Sequence, residues 1–265
     1  MDDAIVKPVR GKRSPRLGPV AIIAATPPDL KLICELTGLD SGRHHSLYIS
    51  ELIVSHDPSS HVAVAGPVVG APYAAMILET LLSWGACEII FCGWCGAISP
   101  SAAIGDILVP DAAIIDEGTS QHYRRHNSHP TPLRGSQNDS SQPGFFSAPS
   151  AHLVRQLAET VLDKGCKVFR EPIWSTDAIY RETTEKVRHF RKMGCLAVEM
   201  ELSALFTVAA FREAALAGVL VVSDDLSTLS WKPGFRQPAF KQGRQTACEV
   251  AASLATRRAS VLQGK

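Results

Sequence analysis

Two glutamates separated by a single residue are the clearest chemical signal in the chain: Glu199 and Glu201 flank Met200. A further acidic residue, Asp224, follows the apolar run 219–222, which is typical of a buried strand. Ligands of open α/β sheets bind beyond the carboxyl ends of the strands, so Asp224 lies where a ligand is expected. Carboxylates there can accept hydrogen bonds from hydroxyl groups and, when protonated, can act as general acids. The pattern therefore predicts a site built from acidic side chains.

Each of these acidic residues also has a purely structural interpretation. Glu199 and Glu201 could form a solvated helix start, because carboxylates favour the positive N-terminal end of the helix dipole. Asp224 or its neighbour Asp225 could cap a turn. Asp29, which follows two prolines, could be the N-cap of a helix. Spacing alone leaves both interpretations open.

The composition excludes several classes of protein. Hydrophobic residues make up 45% of the 265 residues and charged residues 20%, which indicates a sizeable core and excludes general disorder. The net charge of +1 argues against a protein that coats nucleic acid. Seven cysteines, an odd number scattered through apolar segments, indicate reduced thiols and a cytoplasmic location. We expect no membrane association, because the apolar runs are too short to span a bilayer and the first residues do not form a secretory signal.

Strands and helices alternate along most of the chain. We expect residues 1–17 to be a disordered basic tail and residues 18–265 to be a single α/β domain with a mixed, largely parallel central sheet flanked by helices. Residues 93–97 are predicted to form a glycine-rich turn, and residues 124–149 a long loop without an assigned role. The CxxC spacing of Cys92 and Cys95 lacks a second pair, so no metal site is predicted. The predicted strands are 20–25, 47–54, 62–65, 87–92, 107–109, 112–116, 167–170 and 219–222, and the predicted helices are 30–36, 71–84, 150–164, 183–192, 204–217 and 239–262.

Three segments, in this order, resemble the nucleoside phosphorylase/uridine phosphorylase superfamily. The first is the glycine-proline helix start and strand of 70–90, which runs into the small-residue segment 93–97 and Gly105-Asp106. The second is the run Asp-Glu-Gly-Thr-Ser-Gln-His-Tyr at 116–123, and the third is 198–206 followed by Val-Val-Ser-Asp at 221–224. The resemblance extends over roughly residues 19–262. It implies the fold of that superfamily for the domain at 18–265.

The resemblance also implies roles for the acidic residues. Glu201 would bind the 2′- and 3′-hydroxyls of a ribose, Met200 would pack against the sugar, and Glu199 would lie near the base. Asp224 would protonate a purine base at N7. Breaking an N-glycosidic bond develops positive charge on the ribose and negative charge on the base, so a carboxylate and an acid are the groups that this reaction needs.

The base pocket predicted by the resemblance favours a purine over uracil. Uridine-cleaving members carry a Gln-x-Arg pair that the stretch 175–183 lacks. Ile179 replaces the aromatic residue on which the base stacks, and Tyr180 follows it. Gly96 and Trp94 would complete the substrate-binding set.

The phosphate site implied by the resemblance departs from the family pattern. Phe91 and Trp94 stand where the family has an arginine and a serine that bind phosphate. A buried phosphate dianion without cationic partners is strongly unfavourable. Arg43 is in register with an arginine that a neighbouring subunit lends to this site. Asp29 is in register with a glutamate that activates water in the hydrolytic relatives.

Three functional hypotheses follow. The first is a pentosyltransferase that cleaves a purine nucleoside and transfers the sugar to phosphate, with no cofactor besides that co-substrate. The second is a hydrolytic nucleosidase that uses water activated near Asp29. The third is a catalytically degenerate homologue that binds a nucleoside without turnover. In each, the expected partner is a small-molecule nucleoside and not a nucleic acid, and we expect a homo-oligomer, either a dimer or a trimer of dimers.

Overall fold

A computed structural model of the chain describes residues 4–57, 61–123 and 146–263. Its six α-helices are α1 (Pro27–Leu36), α2 (Ala71–Trp84), α3 (Ala151–Asp163), α4 (Thr184–Lys192), α5 (Leu202–Phe211) and α6 (Pro238–Gln263). Its thirteen strands are β1 (Val20–Ala24), β2 (Arg43–Leu47), β3 (Ser50–Val54), β4 (Val62–Gly66), β5 (Glu88–Ala97), β6 (Ile107–Leu108), β7 (Ala113–Asp116), β8 (Phe146–Ser147), β9 (Val168–Phe169), β10 (Ile173–Thr176), β11 (Ala197–Glu199), β12 (Ala215–Asp225) and β13 (Lys232–Pro233).

The strands form one mixed sheet, and its centre is largely parallel. Its main path runs β2-β3-β4-β1-β5-β11-β10-β7-β8, and β12 pairs with β5, β6 and β13 beside that path. β5 is parallel to both β1 and β12, whereas β11 is antiparallel to β5. The prediction of a single α/β domain with a mixed, largely parallel sheet flanked by helices is confirmed.

Helices cover both faces of this sheet. In β1, Ala21 and Ile23 belong to the core that includes α2 and α5, whereas Val20 and Ile22 belong to the core that includes α1, α3 and α6. Successive side chains of a strand point to opposite faces, so an entirely apolar strand suits a sheet that is covered twice. The sheet therefore presents its polar ends, and not a face, to ligands.

Three predicted segments differ from the structure. Segment 47–54 is not one strand but a hairpin that turns at Tyr48 and Ile49, where Tyr48 adopts a φ of +59°. Residues 93–97 continue β5 and do not form a turn. The helix predicted at 204–217 ends at Phe211, and β12 already begins at Ala215.

The prediction also missed β10 and β11. These strands have four and three residues, too few to show a periodic pattern. Both are central to the site described below.

The structure describes only part of the predicted N-terminal tail and of the predicted long loop. Residues 4–17 contain no helix or strand, and the Leu17 side chain is buried while its N–H donates to the Trp84 carbonyl oxygen. The disorder of this tail stays a prediction. Most of the predicted loop, 124–145, lies outside the described residues.

Among the described residues, no helix is both long and apolar enough to cross a membrane.

Candidate active site

Glu201 is buried at the junction between β11 and α5. Its Oε1 accepts a hydrogen bond of 2.5 Å from the N–H of Gly70, the residue before α2. Gly70 has a φ of +82°, a conformation that favours glycine. Burial and the neighbouring charge of Glu199 raise the pKa of Glu201 to about 8. The Gly70 N–H at the start of α2 therefore binds a carboxyl group whose pKa is well above the usual value for glutamate.

Glu199, the last residue of β11, caps α5. Its Oε2 accepts hydrogen bonds of 2.8 Å from the N–H groups of Glu201 and Leu202, and its Oε1 accepts one from the Ser175 hydroxyl. Burial raises the pKa of Glu199 to about 7 against the effect of these bonds. The two glutamates do stand at a helix start, but both are buried and not solvated. Met200 is half-buried between them.

A third buried carboxylate, Glu117, was not predicted as a site residue. Its Oε1 accepts hydrogen bonds from the hydroxyls of Ser120 and, at 2.9 Å, Ser203, and its Oε2 accepts from the Ser120 N–H at 3.0 Å. The Ser203 N–H in turn donates to Ser175, the partner of Glu199. Hydrogen bonds through Ser203 and Ser175 thus connect Glu117 with Glu199. The sequence motif at 116–123 contained this residue, but only the fold shows its contacts.

Asp224 lies on β12 at a β-bulge. Val222 pairs with Cys95 of β5 and Asp224 pairs with Gly96, so Ser223 is the additional residue. Oδ1 of Asp224 accepts from the Ser223 hydroxyl at 2.6 Å, and Oδ2 accepts from the Trp231 indole N–H at 2.9 Å. A Cβ built on Gly96 would lie 3.1 Å from Oδ2 of Asp224, so the glycine leaves the space that this carboxylate occupies.

Gly96 brings the two acidic groups together. On one side it pairs with Asp224 of β12, and on the other with Val198 of β11, the residue before Glu199. Two strand spacings amount to about 10 Å. Both Asp224 and Glu199 are close enough to act on Cys95, whose pKa is raised by burial and by these two charges. The structure therefore brings Asp224 and Glu199 to the same part of β5.

The segment after β10 contains the predicted base-pocket residues and a further carboxyl group. Ile179 and Tyr180 lie in a short 3-10 turn and are 53% and 97% exposed. Glu182 is half-buried, and burial together with the charge of Asp224 raises its pKa to about 7. Glu182 was missed, because nothing in its sequence context indicates that it faces Asp224.

Asp29 is completely buried in a different set of contacts. Its Oδ2 accepts from the Thr26 hydroxyl at 2.8 Å, and its Oδ1 lies 3.0 Å from Nε of Arg244 on α6. The Cys248 thiol, also on α6, donates to Oδ1 at 3.7 Å. Burial raises the pKa of Asp29, while Thr26 and Arg244 oppose this rise. Asp29 thus ties α1 to α6.

The three remaining residues of the predicted phosphate site are spread over the fold. The Phe91 ring is fully buried in the core, and a Cβ on Gly93 would lie 2.7 Å from it. Trp94 packs against Phe240 with a centroid distance of 5.0 Å. Arg43 is exposed on the edge strand β2, and four strands lie between β2 and β11. Its guanidinium donates to the Ser55 carbonyl oxygen at 3.4 Å, so in one chain Arg43 is not part of the carboxylate group.

The carboxyl groups of this site can accept hydrogen bonds from a ligand and, when protonated, can donate a proton to it. Glu201 offers an acceptor for hydroxyl groups, and Asp224 and Glu182 are candidate acids. Within 4–57, 61–123 and 146–263, no three His, Cys, Asp or Glu residues are arranged to hold a metal ion.

Comparisons with known proteins agree with this fold. Residues 19–258 match the model of the Phosphorylase superfamily. A DeoD-type purine nucleoside phosphorylase of Bacillus cereus is 30% identical over 170 residues, which are 63% of this chain and 65% of that relative's length.

Two solved structures are similar over almost their whole length. The purine nucleoside phosphorylase from Toxoplasma gondii in complex with immucillin-H has a TM-score of 0.74 at 17% identity, and covers 97% of this chain and 99% of that one. The uridine phosphorylase from Vibrio fischeri has a TM-score of 0.73 at 21% identity, with the same coverage. At these identities the likeness is one of fold.

Proposed function

The chain belongs to the phosphorylase superfamily, and on that premise we propose that it is an enzyme that cleaves the N-glycosidic bond of a purine nucleoside and transfers the pentosyl group to phosphate. The name of the relative from Bacillus cereus supports this reaction, although the matched segment spans only 65% of that protein. Residues 175–183, which lack the Gln-x-Arg pair of uridine-cleaving members, favour a purine base.

The observation that carries the proposal is the pairing of Gly96. β11, which leads to Glu201, and β12, which carries Asp224, lie on either side of this residue, and this supports a site in which Glu201 binds the sugar and Asp224 the base of one nucleoside. Ribose hydroxyls would donate to Glu201, which is aligned by the Gly70 N–H. The positive charge that develops on the ribose would then lie near a carboxylate in a low-dielectric site, where electrostatic stabilisation is strong.

Asp224 is the proposed acid for the departing base. As the glycosidic bond breaks, its electron pair moves into the base. Transfer of a proton from the Asp224 carboxyl group to N7 of the base neutralises the negative charge that develops there. Glu182, whose pKa is raised to about 7 by burial and by Asp224, would hold a second proton close by at neutral pH. The bulge at Ser223 changes the direction of the strand at Asp224, which supports a special role for this carboxyl group.

Hydrolysis is the second candidate, and the phosphate region favours it. Phe91 is buried in the core and Trp94 lies against Phe240, so the positions that bind phosphate in the family pattern are apolar here. Arg244 is engaged by Asp29. Water needs no cationic partners, whereas a phosphate dianion does.

One assay separates these reactions. The chain is incubated with adenosine, inosine, guanosine or uridine, with and without phosphate, and free base and sugar products are quantified by chromatography. Phosphorolysis predicts pentose 1-phosphate from purine nucleosides, with little base released when phosphate is absent. Arg43→Ala should then raise the KM for phosphate. Free ribose in both buffers would establish hydrolysis, and Asp29→Asn would test whether Asp29 activates the water. No base release from any nucleoside would contradict both candidates.

A further inference from the structure

Trp231 holds one oxygen of the proposed acid. Its indole N–H donates to Oδ2 of Asp224 at 2.9 Å. The backbone fixes this contact, because the following strand β13 pairs with Asp224 and Asp225 of β12 in an antiparallel register. An indole N–H donates and does not ionise, so it restrains the carboxylate at any pH.

The ring of Trp231 has an aromatic neighbour towards the core. Phe235 lies 6.5 Å from it between centroids, and Phe235 in turn lies 6.0 Å from Trp94 and 6.1 Å from Phe240, whose side chain is buried. Trp231 itself remains 63% exposed. It is thus the outer member of an aromatic group rooted in the core, and a large part of its surface is free for a ligand.

Charges around Asp224 make this neutral donor important. The charge of Asp224 contributes to the raised pKa of Glu182, and Asp225 is adjacent to Asp224 in the chain. Lys232 lies 3.7 Å from Asp225, and the Ser227 N–H also donates to Asp225. The side-chain hydrogen bonds of Asp224 itself come from Ser223 and Trp231.

We propose that Trp231 is a positioning residue for Asp224 and that its exposed ring forms the aromatic wall against which a planar purine base stacks. The inference rests on the proposed function, because it assumes that Asp224 contacts the base. A base edge within hydrogen-bond distance of Asp224 lies beside the indole, whose own edge is 2.9 Å from that carboxylate. Base–aromatic stacking of this kind tolerates different purines, since each offers a π-face.

The two roles are tested with two substitutions. Trp231→Phe keeps a ring but removes the donor, so kcat for the best purine nucleoside should fall about tenfold while KM changes less than about twofold. Trp231→Leu removes both, so KM should also rise about tenfold. Trp231→His, which retains an N–H donor, should regain part of kcat. Equal kcat values for wild type and Trp231→Phe would overturn the positioning role.

A matched control is available in Trp84. Its side chain is half-buried at the end of α2, and its indole nitrogen has no hydrogen-bond partner among the described residues. Trp84→Phe should therefore leave kcat and KM unchanged. A loss of activity equal to that of Trp231→Phe would show that the effect is not specific to the contact with Asp224.

Tryptophan fluorescence provides a readout that does not require turnover. Titration with free hypoxanthine or adenine should quench wild type and Trp84→Phe, and the quenching should be lost in Trp231→Phe. Quenching that persists in Trp231→Phe would overturn the stacking role, as would base release by a wild type whose fluorescence does not respond. If no nucleoside is cleaved, the proposed function fails, and the titration still decides whether Trp231 contacts a base.

Discussion

Glu201 illustrates how the fold maintains an unfavourable group at the site. A carboxyl group that remains protonated to about pH 8 in the folded chain, because of burial and Glu199, releases its proton near pH 4.5 in the unfolded chain. The folded state therefore binds more protons between these values, and the free energy of unfolding falls as the pH rises through them. Ribose hydroxyls that donate to Glu201 would stabilise its ionised form, which gives the unfavourable burial a function.

Glu201→Gln should reduce this pH dependence. The amide cannot ionise but can still accept from the Gly70 N–H. We expect the variant to have a Tm higher than that of wild type by about 10 °C at pH 9, where wild type carries the buried charge, and a similar Tm at pH 5. Thermal unfolding at both pH values measures this. A wild-type Tm that is higher at pH 9 than at pH 5, with the same trend in the variant, would contradict the assignment.

Strand β5 is the element on which the site depends, because its Gly96 pairs with Val198 of β11 on one side and with Asp224 of β12 on the other. Sequence patterns placed residues 93–97 in a turn, since two glycines and small neighbours are typical of turns. In the structure the two glycines have another reason: the Phe91 side chain leaves no space for a Cβ at Gly93, and the Leu226 and Asp224 side chains leave little space for one at Gly96. A glycine inside a strand can mark close packing as well as a turn.

Gly96→Ala should therefore lower kcat/KM strongly, while the free energy of unfolding should fall only moderately. The added Cβ would lie 2.7 Å from a Leu226 methyl group and 3.1 Å from Oδ2 of Asp224. We expect a destabilisation of about 1–3 kcal/mol from overpacking, and a fall in kcat/KM of at least about tenfold because Asp224 is displaced. Gly118→Ala is the matched control, since its Cβ would meet nothing closer than 3.7 Å. Urea unfolding and base-release kinetics measure the two effects. Unchanged kinetics in Gly96→Ala would contradict the role of this glycine.

Elements with strong local signals could be predicted, and those that depend on tertiary contacts could not. The bounds of α2 were predicted correctly from Pro72 in its first turn and Gly85 at its end. Short strands such as β10 and β11 have no such signals. In the site, Glu201 and Asp224 were predicted from a motif, whereas Glu182 and Trp231 come close to Asp224 only through the fold.

At the scale of the whole molecule, the face formed by the β2–β3 turn and α2 exposes large apolar side chains. The turn between β2 and β3 packs on α2, where the Ile49 N–H donates to the Tyr73 hydroxyl at 3.2 Å. Tyr48, Ile49 and Met76 remain exposed on this face. A cavity of about 1160 Å³ adjoins it and is lined partly by Val6, Lys7 and Pro8 of the N-terminal segment. Apolar patches of this kind mark interfaces, and Arg43 on the adjacent edge could then serve a neighbouring site.

We therefore expect a homo-oligomer in solution. Light scattering after size-exclusion chromatography should give a mass that is a multiple of the 28.5 kDa chain, a dimer or a trimer of dimers. Ile49→Asp, at a side chain that is 88% exposed in one chain, should dissociate it, because a charge would be buried in the interface. Leu162→Asp, at an exposed leucine on α3, is the control and should not. A monomeric wild type would contradict this expectation.

The rate of base release by Glu201→Gln tests the central claim most directly. Purine nucleoside is supplied at saturation, free base is quantified over time, and Glu249→Gln, at a carboxylate paired with Lys164 on the surface, serves as the control. Because Glu201 is proposed to stabilise the positive charge of the transition state, its conversion to the neutral amide should reduce kcat by about two to three orders of magnitude, with the fold retained by circular dichroism. Glu249→Gln should match wild type. Base release by Glu201→Gln at a rate close to wild type would show that this carboxylate does not carry the reaction.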